Sequence, residues 1–109
     1  VRKVWTPSPE LLFADGGMFG GYIAALADQV MAFAAYTVLP DDLAFTTIGL
    51  QVQMLGRAAG QPLLIEGRVV NAGRQLIATE CEMRRQGDGR LVASATAQQM
   101  LAPLKKPAP

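Results

Sequence analysis

The stretch "DGGMFGGYIAALADQVMAF", residues 15 to 33, carries one charge inside its run of apolar and very small residues, Asp28. A carboxylate among such neighbours suits two jobs. It can take a proton from an attacking water as a general base, or attack a carbonyl carbon itself. Gly20 and Gly21 stand where a helix would begin. The first N–H groups of a helix have no acceptor inside it and carry the positive end of its dipole. Such groups can steady a carbonyl oxygen that is gaining negative charge. Each feature also has an ordinary explanation: the carboxylate reaches water or pairs with Arg57 or Arg68, and the glycine pair is a tight entry turn.

The position of Asp28 on the helix sets the chemical reading level with the structural one. Tyr22, Gln29 and Tyr36 recur every seven residues and form a thin polar stripe. Asp28 lies about 100° away from it around the axis. Its neighbours three, four and seven positions away are Gly21, Ala24, Ala25, Met31, Ala32 and Ala35. This face of small side chains lets another backbone or a ligand approach closely.

Composition removes many alternatives. The chain contains no histidine, so Ser-His-Asp and Cys-His mechanisms within one chain are excluded, as is a histidine-based metal site. The net charge of +1 lacks the basic footprint of a nucleic-acid binder. Half the residues are hydrophobic and 17% are charged, which is enough apolar material for a core. The 109 residues suit one domain, spanning 1–109. The single cysteine, Cys81, fits a reducing compartment and a cytoplasmic location. No secretory signal is visible, although the first residue is Val1 and not Met. A charge near the centre of residues 20–39 argues against a membrane span there.

The pattern predicts a strand over 1–5, a turn or extended run at "TPSPE", and a glycine-rich loop. An alanine-rich helix over 21–38 follows, stopped by Pro40. The period then changes to two. Strands are expected over 44–55, 63–70, 75–85 and 90–101, with turns at "NAGR" and "GDG". In the first of these, Ile48, Leu50, Val52 and Met54 share one face, and Gln51 and Gln53 the other. One long apolar helix followed by hairpin-linked strands is an α+β pattern. The helix is apolar on most sides, so the sheet must curl around it, with a partner chain covering the remainder.

"MFGGYIAALADQV" resembles the helix entry of hotdog-fold acyl-CoA thioesterases of the phenylacetate-pathway type. In that family a His-Gly-Gly triplet precedes an alanine- and leucine-rich helix, with Asp or Glu nine residues after the His. Phe19-Gly20-Gly21 stands at the triplet here, and Asp28 at the acidic position. "TIGLQVQMLGRAAGQPLLIEGRVVNAGRQLIATECEMRRQGDGRLVASAT", residues 47–96, resembles the family's strands, most closely in "GRVVNAGRQLIATECEM" and "GDGRLVASAT". The likeness runs over about residues 13 to 101.

The resemblance implies a hotdog fold, an antiparallel sheet wrapped around one central helix. It also implies hydrolysis of an acyl- or aroyl-CoA to the free acid and coenzyme A. Asp28 would be the catalytic carboxylate, and Gly20 would give its N–H to the thioester carbonyl. Thr47 would hold the water or the carboxylate, with Thr46 beside it. Phe19 and Gly21 would line the substrate, and Arg57 and the Gly73-Arg74 turn would meet the phosphates or pantetheine arm. The family's site lies between subunits, so a homodimer or homotetramer is implied. No metal and no cofactor beyond substrate coenzyme A is implied, and no nucleic acid or membrane partner. Phe19 in place of His, and Phe13 where some relatives have Asn, imply a greasier pocket. Asp15 is the alternative carboxylate, in the loop before the helix. The rival reading is a hotdog dimer that binds an acyl chain or small apolar ligand without hydrolysing it. A dehydratase or hydratase of this fold would need the absent histidine.

Overall fold

The computed structural model describes residues 1–12 and 20–104. Strand β1 (Arg2–Trp5) is followed by a single 3-10 turn at Pro9–Leu11, which begins at the first residue its proline can favour. Helix α1 spans Gly20–Tyr36, one residue earlier at its start and two shorter at its end than the pattern predicts. Thr37 stops it by folding back: its N–H and its hydroxyl both bond to the Ala34 carbonyl, at 3.1 and 2.6 Å. Strands β2 (Leu43–Met54), β3 (Leu63–Ala72), β4 (Leu76–Arg85) and β5 (Leu91–Pro103) complete the order. Asn71 and Ala72 extend β3, so the expected "NAGR" turn shortens to residues 73–75.

All five strands form one antiparallel sheet in the order β1-β3-β4-β5-β2. One helix laid on one face of this sheet is the hotdog arrangement that the sequence predicts. The core lies between them. Ile23, Ala27, Val30 and Met31 of the helix pack on Leu63, Ile65, Cys81, Met83, Ala95 and Ala97. Gly67 makes the closest approach possible. A Cβ there would stand 2.7 Å from Val30 Cγ1 and 3.1 Å from the Val30 carbonyl oxygen, so the helix rests directly on the β3 backbone.

The sheet covers the helix on one side only. Tyr22, Ala25, Gln29, Phe33 and Tyr36 remain exposed along the opposite side. The curled sheet around one helix is as predicted, and the exposed side is the remainder that the sequence reading left to a partner chain.

Candidate active site

Regular alternation along β2 puts Thr47 on the same face as Gln51 and Gln53, away from the helix. The structure turns it the other way. Ile48 is an extra residue in the pairing with β5: Thr47 stands opposite Gln99, Gly49 opposite Gln98 and Leu50 opposite Ala97. This bulge reverses the phase of the strand. Thr47, Leu50, Val52 and Met54 then share the face that meets the helix, and Thr46 turns outward with Met100. Ile48, expected among the inward residues, is instead 54% exposed.

The consequence is a contact between two predicted site residues. Thr47 Oγ1 donates to Asp28 Oδ1 at 3.4 Å, and both residues are half-buried. Asp28 sits on the flank of the helix that runs beside β2, between buried Met31 and Ala35 and exposed Gly21 and Ala25. Among the described residues no lysine or arginine lies within ion-pair distance of it. Arg68, one pairing the sequence left open, is on the outer face of the sheet with Glu80 and Glu82.

Gly20 begins the helix, one residue before the expected start. A Cβ on it would lie 2.6 Å from Met54 Cε and 2.7 Å from Met54 Sδ. The Met54 thioether therefore roofs the helix start, a role that the sequence did not single out. Gly21 is exposed, with nothing within 4 Å of the place a Cβ would take. Phe19 and Asp15 lie outside the described residues. Arg57 is exposed in the loop after β2, and its carbonyl accepts from Arg85 Nη1 at 3.5 Å. Gly73 closes the β3–β4 turn by donating to the Leu76 carbonyl at 2.8 Å, and Arg74 stands exposed beside it. The two arginines sit at opposite ends of β3, roughly 30 Å apart along a ten-residue strand. Arg57 shares the end where Gly20 and Met54 lie, and Arg74 the other.

Below Thr47 the inner face holds two buried polar side chains, Thr79 and Gln99. Gln99 Nε2 donates to Thr79 Oγ1 at 2.9 Å, and Thr79 Oγ1 donates to the Ala97 carbonyl at 3.5 Å. Gln99 Oε1 is buried without a donor. The sequence signal was available: inward positions 93, 95 and 97 are all alanine, and the next is Gln99.

A groove of about 240 Å³ lies on the outer face, between Gln51 and Gln53, Ser94 and Thr96, and Glu80 and Glu82. It is open, on the opposite side of the sheet from Asp28, and shares no residue with the Asp28–Thr47 pair. The flank that carries Asp28 is a surface of one chain. Among the described residues no three His, Cys, Asp or Glu side chains gather as a metal site would require. Among the same residues, no helix is long and apolar enough to cross a membrane.

Several known proteins resemble this chain. A candidate esterase of Caenorhabditis elegans is 34% identical over 83 residues, which cover 75% of this chain and 48% of that protein. The chain thus spans about half the length of that curated relative. A candidate thioesterase of Ralstonia eutropha, related to phenylacetic acid degradation, is 28% identical in its solved structure. It superposes with a TM-score of 0.81 over 91% of this chain and 74% of its own. A Streptococcus mutans protein solved with acetyl-CoA bound is 26% identical, with a TM-score of 0.81 over 97% and 83% of the two chains. Residues 15–92, which include the Asp28 helix and most of the sheet, match the thioesterase superfamily, and the chain belongs to that family.

Proposed function

We propose that this chain hydrolyses an acyl-CoA or related thioester to the free acid and coenzyme A, as a homodimer or as a homotetramer of two such dimers. The observation that carries the reading is the contact of Thr47 with Asp28, a half-buried carboxylate that no described cation neutralises. Asp28 acts as general base. It removes a proton from a water, the water oxygen bonds to the thioester carbonyl carbon, and the carbonyl oxygen becomes an oxyanion. The Gly20 N–H, at the positive end of the helix, receives that oxyanion. Collapse breaks the carbon–sulfur bond, and the departing thiolate takes the proton from Asp28. Asp15 is the alternative carboxylate.

Helix geometry supports the shared site. Gly20 and Asp28 are separated by eight residues of one helix, or about 12 Å along its axis. One carbonyl group cannot touch both in the same chain. Two antiparallel copies bring the Gly20 of one beside the Asp28 of the other. Exposed Tyr22, Phe33 and Tyr36, and the outer edge of β2, offer the surface for it. Gly21, Phe19 and Thr46 are assigned to substrate contact. Arg57 is the better placed arginine for a phosphate near Gly20, and Gly73 and Arg74 would serve a more distant part of coenzyme A. The acetyl-CoA bound to the Streptococcus mutans relative supports that ligand class.

The test is a panel of short, long and aromatic acyl-CoAs, with thiol release followed by a thiol reagent. Turnover that disappears in Asp28→Asn is expected. Absence of turnover across the panel, with acyl-CoA still bound, would move the assignment to a non-catalytic acyl-binding dimer. Light scattering should give at least a dimer, and a monomer at assay concentration would remove the shared site.

A further inference from the structure

Gln99 is fully buried, and its amide is used at one edge only. The nitrogen edge is committed to Thr79 Oγ1 on β4, whose own proton goes to the Ala97 carbonyl. That chain fixes the orientation of the amide and leaves Oε1 without a donor. Burying an acceptor unpaired is unfavourable, because its water partner is lost and not replaced. A methionine would fill this place at no such cost. On β2, the register partner of Gln99 is Thr47. Paired residues on neighbouring strands raise their side chains from one face, with Cβ atoms about 5 Å apart. Thr47 has one proton to give, and it gives it to Asp28.

We propose that Gln99 is a positioning residue that acts through Thr47: its vacant Oε1 receives the Thr47 hydroxyl whenever Asp28 is protonated. The consequence for turnover rests on the thioester-hydrolase reading, but the geometry does not. While Asp28 is a carboxylate it is the stronger acceptor and keeps the Thr47 proton. When Asp28 takes a proton from water, the water O–H bond breaks and an Asp28 O–H bond forms. The neutral carboxyl is a poorer acceptor. The Thr47 hydroxyl rotates about its Cβ–Oγ1 bond and donates to Gln99 Oε1. No covalent bond of Thr47 or Gln99 changes. When the departing sulfur takes the proton back, the hydroxyl returns to Asp28. Gln99 therefore makes proton uptake at Asp28 easier than Thr47 alone would allow.

Few other ionisable groups face this point. Of the strands packed on the helix, β2, β3 and β5 turn no ionisable side chain toward it, and β4 turns Cys81 and, at its far end opposite Leu63, Arg85, which is paired with Asp88. Glu66, Arg68, Glu80, Glu82 and Arg84 lie on the outer face. Lys3 of β1 reaches the exposed stripe of the helix and donates to Gln29 Oε1 at 2.7 Å.

The experiment is a carbon-13 NMR titration of the Asp28 carboxyl in protein carrying labelled aspartate, with the resonance assigned by its loss in Asp28→Asn. In Gln99→Met the midpoint should move to lower pH by about half to one unit, and the acid limb of the kcat/KM profile should move with it. In a Thr47→Val background the same substitution should move neither. An unchanged midpoint in Gln99→Met, or an equal shift with and without Thr47, overturns the proposal. If Gln99→Met does not fold, Thr79→Val is read instead. It frees the nitrogen edge of the amide and should give a smaller shift of the same sign, and no shift there also overturns the proposal. The titration needs no turnover, so an inactive protein would count against the proposed function without deciding this point.

Discussion

The two faces of the sheet hold the same kinds of groups to different ends. On the outer face the acids are matched with arginines: Glu66 with Arg2 at 3.3 Å, Glu80 with Arg68, and Glu82 with Arg84 at 2.9 Å. These pairs stand in solvent, where each adds little to stability. On the inner side one carboxylate, Asp28, has a hydroxyl for company and no cation among the described residues. A neutralised acid is a poor base. The difference teaches that the chain spends its arginines on acids that need only solubility and withholds them from the one that could take a proton.

Asp28→Asn and Glu80→Gln put that contrast to its largest test. The first should lower kcat/KM by about 10²- to 10⁴-fold, the span a positioned general base supplies. The second should leave it unchanged. Comparable losses in both would erase the distinction between the faces. Thr47→Val comes next. Loss of one hydrogen bond to the carboxylate should cost roughly fivefold in kcat/KM, with Thr47→Ser restoring most of it. Thr46→Val, on the other face of the same strand, should be near wild type in the carbon–oxygen chemistry and change only substrate affinity.

That pair of threonines also marks how far the sequence could be read. The helix, the strands and the polar stripe of Tyr22, Gln29 and Tyr36 were legible, because periods of 3.6 and two are written directly in residue types. Asp28 was legible as an off-stripe charge. The facing of Thr47 was not: alternation counted back from Val52 sends it outward, and only the pairing with β5 reveals Ile48 as the extra residue. A bulge leaves no periodic trace when its neighbours are Thr, Ile and Gly. Thr47 was reached through family resemblance, which carries the bulge silently. The opposite-end placement of Arg57 and Arg74 was equally hidden, since it depends on strand register and not on either residue's surroundings in sequence. Gln99 was visible as a break in a row of alanines, but its meaning required knowing which strand lay beside it.

Backbone contact sharpens the comparison further. Gly67 on the inner face touches the helix, whereas Gly21 on the exposed side touches nothing. In Gly67→Ala the new methyl meets the Val30 carbonyl at 3.1 Å, and backbone cannot swing aside as a side chain can. The helix must lift, at a cost of about 1–3 kcal/mol. Gly21→Ala should instead stabilise by roughly 0.5–1 kcal/mol, because it removes a flexible residue from a helix. Thermal or urea unfolding of the two variants should give opposite signs. If both destabilise, Gly21 itself is packed against the partner chain that the proposed dimer sets beside this helix.

An effect confined to alkaline pH is expected at Cys81, which faces inward on β4 between Glu80 and Glu82, both turned outward. Burial, with a lesser push from Glu82, raises its thiol from 9.0 to about 11. The sign follows from which state holds the proton. Between pH 9 and 11 the unfolded chain loses a thiol proton that the folded chain keeps, so unfolding releases a proton and stability falls as pH rises. Below pH 9 both states keep it and the contribution is constant. At pH 10 the loss should be about 1 kcal/mol. In Cys81→Ala, denaturant unfolding should start from a lower baseline but decline less steeply across that window. An identical slope in both proteins would mean that the thiol is already solvated in the native state. In the same way, a thiol reagent should react with folded protein far more slowly than with unfolded chain. Fast reaction would place water on the inner face of β4, where the contrast between the two faces requires it to be dry.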